Sequence, residues 1–124
     1  YKKSIITDEE MAKLIQKLQK FMVSSKIYLD SELTLDKLAT ETGITRHILS
    51  QVLNEGLHIA FYTFVNRLRI AEFEDLVRAK KYQSLSIVGL AFECGFRSSS
   101  SFYNALKKEK GKTPKQLIKE IEVA

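Results

Sequence analysis

Apolar residues recur at helical spacing along most of this chain. Met11, Leu14, Ile15, Leu18, Phe21 and Met22 fall on one helical stripe. Just before them, Thr7-Asp-Glu-Glu10 has the form of a capping box, with Thr7 at the N-cap and Glu10 at N3. The spacing predicts a first helix ending near Ser24-Ser25, then a connector whose Ile27, Tyr28 and Leu29 plug a core. Thr34 caps a second helix with Leu35, Leu38 and Ala39, which stops at Gly43. Thr45 caps a third, with Ile48, Leu49, Val52 and Leu53 on one face and Gly56 at its end. A longer helix is predicted over 60–79, with Phe61, Phe64, Val65, Leu68, Ala71 and Leu76 inward. No run alternates with period two for long enough to demand a strand. The expected fold is all-α, with about seven helices.

The pattern repeats. Residues 34–44 read TLDKLATETGI and residues 86–96 read SIVGLAFECGF. Thr34 matches Ser86, Leu35 matches Ile87, Leu38 matches Leu90, Ala39 matches Ala91 and Gly43 matches Gly95. Each match has a physical role. The hydroxyl caps a helix, the aliphatic residues face a core, and the alanine leaves room for a crossing helix. The glycine supplies the positive φ of a tight turn. Ile44 and Phe96 then plug the corner. This is the pattern of a helix-turn-helix, present twice. After the first glycine, Leu49 and Leu53 follow by six and ten residues; after the second, Phe102 and Leu106 follow by seven and eleven. The extra residue of the second turn is assigned to the serine run Ser98–Ser101. With that shift Ser100 corresponds to His47, Tyr103 to Ser50 and Asn104 to Gln51, all off the core-facing stripe. Ser98 or Ser99 is expected to cap the second recognition helix, with Ser101 closer to the core. A recognition helix meets base edges with its N-terminal half. A helix of about 20 residues over 60–79 is about 30 Å long, near the ~34 Å of one DNA turn. The two motifs are therefore expected to enter successive major grooves.

Charge sharpens this picture. Residues 1–59 hold 8 Lys/Arg and 8 Asp/Glu, whereas residues 60–124 hold 12 and 7, so the second half carries the whole net charge of +5. Within 97–119, Arg97, Lys107, Lys108, Lys110, Lys112, Lys115 and Lys119 are opposed only by Glu109. A clustered basic end suits a polyanion. With 124 residues and 44% hydrophobic content, the chain can form a core and is not generally disordered. It has no apolar run long enough to cross a bilayer. Cys94 cannot form an internal disulfide and is expected to be a buried structural thiol. His47 and His58 lack Cys or carboxylate partners at ligand spacing, so no metal site is expected. No phosphate-binding glycine loop, nucleophile–base pairing or carboxylate pair marks an enzyme. Arg67 and Arg69 on the long helix are expected to touch phosphate or stand in solvent.

The sequence resembles the DNA-binding domain of the AraC/XylS family of bacterial transcription regulators. The resemblance rests on Ile87, Ala91-x-x-x-Gly95-Phe96, Ser98-x-x-x-Phe102, Lys107-Lys108 and Gly111-Lys-Thr-Pro114. A looser match runs through LTLDKLATETGITRHILSQVLNE. It implies two helix-turn-helix subdomains, over 1–59 and 80–124, joined by the linker helix 60–79 (homeodomain-like). It implies base reading by Arg46, His47, Ser50 and Gln51 in the first motif, and by Ser99, Ser100, Tyr103 and Asn104 in the second. Phosphate contacts are implied at Thr45, Arg97, Ser98, Lys107, Lys108, Lys112 and Thr113. The chain departs from the family at Leu53 and Leu106, where an aromatic is usual, and at Leu117-Ile118, where Tyr-Arg is frequent.

The resemblance also implies a partner set. Promoter or operator duplex DNA and RNA polymerase are the expected partners, with no cofactor and no small-molecule site in this domain. A sensory or dimerisation region is expected outside this sequence, which starts with Tyr1. The wording LSQVLNE and FVNRLRIAEF is similar to regulators attached to larger signalling proteins. That leaves a membrane-anchored parent open beside a cytoplasmic location for the domain. The rival expectation is a helical protein-interaction module that kept the fold but does not bind DNA.

Overall fold

The computed structural model describes residues 5–80 and 83–124, so Tyr1 lies outside it. Its described residues form seven α-helices and no strand: α1 (Asp8–Ser25), α2 (Leu35–Thr42), α3 (Arg46–Gln51), α4 (Phe61–Arg78), α5 (Ile87–Glu93), α6 (Ser99–Lys110) and α7 (Pro114–Val123). A short 3₁₀ turn occupies Ile27–Leu29 and a wide π turn occupies Val52–Gly56.

The helix starts lie where the hydroxyl residues predicted them. Thr7 and Glu10 form a reciprocal capping box, each bond 3.1 Å long. The backbone N–H of Thr7, and then its hydroxyl, hold the Glu10 carboxyl below the usual carboxylate range. Thr34, Thr45 and Ser86 accept the N–H groups of Lys37, Ile48 and Gly89. Each cap satisfies a donor that the first helical turn leaves without a partner.

The chain divides into two compact units. Among the described residues, the first comprises 5–27 and 33–62. Its core holds Leu18 and Met22 of α1, Leu38 of α2, Leu49 of α3, and Val52 and Leu53 of the π turn. Gly43 ends α2 in the left-handed conformation at φ 73°. Gly56 serves a different purpose from the expected one. Its φ is not positive; an added Cβ would meet Sδ of Met11 at 2.6 Å. Glycine lets α1 approach the π turn, and the left-handed residue here is His58, at φ 54°.

Among the described residues, the second unit comprises 28–32, 63–80 and 83–124. From Thr63 onward α4 groups with this unit. Phe102 lies at the centre of its core, with ring centroids of Phe73 and Phe96 at 4.9 and 5.1 Å. Ile70, Val77, Leu90, Ala91, Leu106 and Leu117 surround them. Cys94 is fully buried there, and burial, reinforced by Glu72 and Glu93, pushes its thiol up to about 12. The inward face of α4 is Val65, Arg69, Ile70, Phe73 and Val77. Ala71, expected inward, is exposed, because the true stripe steps by four residues from Val65 and leaves 71 on the opposite side.

Candidate nucleic-acid interface

Each helix-turn-helix is built by the same local grammar. Thr45 caps α3 and Ser98 caps α6. Aligned on these caps, Arg46 matches Ser99, His47 matches Ser100, Ser50 matches Tyr103 and Gln51 matches Asn104. The caps also locate the extra residue of the second turn. Ile44 and Phe96 are both buried plugs, with one residue between plug and cap only in the second motif. The inserted residue is therefore Arg97, not one of the serines. Nor does Ser101 pack toward the core. It is exposed at N3, where its hydroxyl accepts the backbone N–H of Ser98 and its own N–H donates to the Ser98 hydroxyl, closing a capping box.

On α6, Phe102, Ala105 and Leu106 turn into the core, while Ser100, Tyr103, Asn104, Lys107 and Lys108 are exposed and Ser99 is half-buried. Tyr103 keeps 45% of its surface exposed, ample for a large aromatic side chain to reach a partner. Charge pairs fix this helix from behind. Arg67 of α4 pairs with Glu109 of α6 at 2.7 Å, and Lys110 of α6 pairs with Glu74 of α4 at 3.6 Å. Glu109, the one acid within 97–119, thus spends its charge on α4, and the exposed face of α6 is basic. Arg67 is an exposed ion-pair partner. Arg69 is a buried clamp at 6% exposure, which removes it from the expected phosphate contacts.

The α6–α7 side gathers four of the candidate residues. Tyr103, Lys107, Lys112 and Thr113 line one groove of about 310 Å³, together with Ile87, Pro114 and Lys115. Thr113 caps α7 through the N–H of Gln116 at 3.2 Å, and Pro114 occupies N1, so the N-terminal end of α7 is ordered at this groove. Backbone N–H groups at a helix start and the helix dipole both favour an anion. Lys112 also pairs with Glu120 at 2.5 Å. Sequence reasoning did not single out Lys115 as a contact.

The first motif differs. Thr45, Arg46 and His47 are exposed and Ser50 is half-buried, but Gln51 is only 9% exposed. Contrary to the expectation from its spacing, Gln51 does not stand on the outward face. The six-residue α3 runs directly into the π turn, which packs on α1, and Gln51 is buried with Leu49, Val52 and Leu53. Its counterpart Asn104 lies mid-way along a regular 12-residue helix and stays exposed. Arg46 pairs with Asp36 of α2 at 3.2 Å, and these residues border a shallow groove that also includes Thr45. Among the described residues, no group of three or more His, Cys, Asp or Glu side chains is arranged to hold a metal ion.

Two capped helix-turn-helix motifs, the second with a polar and basic outward face, define a DNA-binding module of the double helix-turn-helix class. The comparisons with known proteins are specific about which. A family model described as a helix-turn-helix domain, of the AraC type, matches residues 38–120. The chain belongs to the AraC/XylS family of transcription regulators, as one of its DNA-binding domains. It is similar to the HTH-type transcriptional regulator GbdR of Pseudomonas aeruginosa, in strains UCBPP-PA14 and PAO1, at 27% identity over 99 residues. That match covers 80% of this chain and 26% of the regulator, so the chain spans about a quarter of the length of these curated relatives. No solved structure matches it significantly.

Proposed function

We propose that this domain binds a specific operator through both motifs, with α3 and α6 entering successive major grooves of one duplex. The observation that supports this best is the division of α6. Its core side carries Phe102, Ala105 and Leu106, and its exposed side carries Ser100, Tyr103, Asn104 and Lys107. Asn104 has the amide that pairs with adenine, and Arg46 the fork that suits guanine. His47, Ser50, Ser99, Ser100 and Tyr103 complete the base-facing set. Thr45, Arg97, Ser98, Lys107, Lys108, Lys112 and Thr113 supply sequence-independent affinity to phosphate. Gln51 leaves the base-reading set because it is buried.

In this reading the domain is not an enzyme. It works in the cytoplasm behind a sensory or dimerisation region outside this sequence, and it presents RNA polymerase with a DNA-bound surface. Nothing in the fold or in the comparisons favours the protein-interaction alternative. The reading is tested by selecting bound oligonucleotides with this domain and titrating the selected and random duplexes at two salt concentrations. Asn104→Ala is expected to lose about 1–3 kcal/mol on the selected site and little on random DNA. Equal losses on both would remove Asn104 from the base readers. Absence of salt-dependent binding to either duplex would return the protein-interaction module.

A further inference from the structure

The connector between α1 and α2 is, by its contacts, part of the second unit. Arg69 of α4 holds it there. Arg69 Nε donates to the carbonyl of Tyr28 at 2.7 Å and Nη2 donates to the carbonyl of Asp30 at 2.9 Å. The same guanidinium lies 5.8 Å from the centre of the Phe96 ring. Gly95 faces the connector so closely that an added Cβ would stand 2.4 Å from the Tyr28 carbonyl oxygen and 2.9 Å from Cα of Leu29. The connector is thus seated on the turn of the second helix-turn-helix. Asp30 extends the chain of contacts, since its carboxylate accepts the N–H of Glu32 at 2.9 Å. Glu32 in turn pairs its carboxylate with Nη2 of Arg97. Arg97 is the inserted residue of that turn and directly precedes the helix cap Ser98.

From this relay we infer that Glu32 is a built-in competitor for the DNA phosphate that Arg97 binds, held in position by Arg69 and Asp30. The inference rests on the DNA-backbone role proposed for Arg97. A guanidinium fork offers the same donors to a carboxylate and to a phosphate, so the two exchange on one site. Both side chains are about two-thirds exposed, at 68% and 66%, so a polyanion can reach the pair. An exposed pair is weak, and the dense charge of a duplex displaces it at a small cost. That cost falls on every DNA sequence alike, because phosphate contacts carry no base information. Glu32 is a positioning residue: it lowers backbone affinity without touching base discrimination.

The test is a set of fluorescence titrations of selected and random duplexes at two salt concentrations. The proteins are the wild type, Glu32→Gln, Arg97→Ala, the double variant, and Glu93→Gln, which removes an exposed acid of α5 for the same change in net charge. Glu32→Gln is expected to bind about two- to five-fold more tightly, equally on both duplexes. Arg97→Ala is expected to bind more weakly and to flatten the salt slope by about one unit. In the Arg97→Ala background Glu32→Gln should give no gain, and Glu93→Gln should match the wild type. The inference is overturned if Glu32→Gln binds like the wild type, if its gain persists without Arg97, or if Glu93→Gln gains as much. A wild type that shows no salt-dependent binding overturns the operator-binding reading together with it, and is told apart by that first curve.

Discussion

Gln51 and Asn104 occupy equivalent places in the two motifs and have different fates. Asn104 is exposed, whereas Gln51 is 9% exposed. Gln51→Ala is therefore expected to destabilise the fold by about 1 kcal/mol. The ratio of selected to random DNA affinity should stay unchanged, a split that thermal denaturation and titration together resolve. The glycines pose a similar contrast. Gly43 and Gly95 both have positive φ, at 73° and 95°, but space around Gly43 is open while the backbone of residues 28–29 closes on Gly95. Gly43→Ala should cost on the order of 1 kcal/mol of left-handed strain. Gly95→Ala adds a clash with backbone and should unfold the second unit, as judged by circular dichroism. Cys94 makes a third residue-scale prediction. Its thiol is pushed up from 9.0 to about 12, so it should react with a thiol reagent at neutral pH only after denaturant is added. Because the folded value is the higher one, this group's contribution to stability is complete below pH 9 and is lost as pH rises toward 12.

At the scale of elements, most of the chain was legible in its sequence because helix starts are local. A cap is a bond between a side chain and a backbone N–H three residues on, so Thr7, Thr34, Thr45 and Ser86 could be read from short windows. Ser98→Ala should remove the bond that the Ser98 hydroxyl accepts from the Ser101 N–H and cost about 1 kcal/mol, measured as a fall in denaturation midpoint. Phe102→Ala should cost about 3–5 kcal/mol, since its ring fills the centre of the second core. The long helix was harder to read. Arg69 shares the four-residue step of Val65, Phe73 and Val77, a periodic signal that its charge concealed. Reading the stripe through the charged residue would have found the clamp and put Ala71 outside.

At the scale of the whole molecule, positive charge gathers in the second half. The net +5 arises entirely within residues 60–124, and Glu109 and Glu74 are engaged in ion pairs between α4 and α6. Lys107 and Lys108 stand exposed on α6. Lys107→Ala is expected to weaken binding to selected and random duplexes alike and to reduce the salt slope by about one unit, as read from titrations across salt. A loss confined to the selected duplex would make Lys107 a base reader instead.

The sequence alone determined the capped helices, the duplicated turn, most of the apolar core positions and the family, because each rests on residues a few positions apart. Tertiary structure decided which polar groups remain available. Gln51 is lost to burial where α3 meets the π turn, and Arg69 is drawn inward to carbonyls about forty residues distant, at separations of 41 and 39. Arg97 proved to be the inserted residue of the second turn and pairs with an acid 65 residues away. Burial and ion pairing depend on what the folded chain brings near, and no local spacing records that.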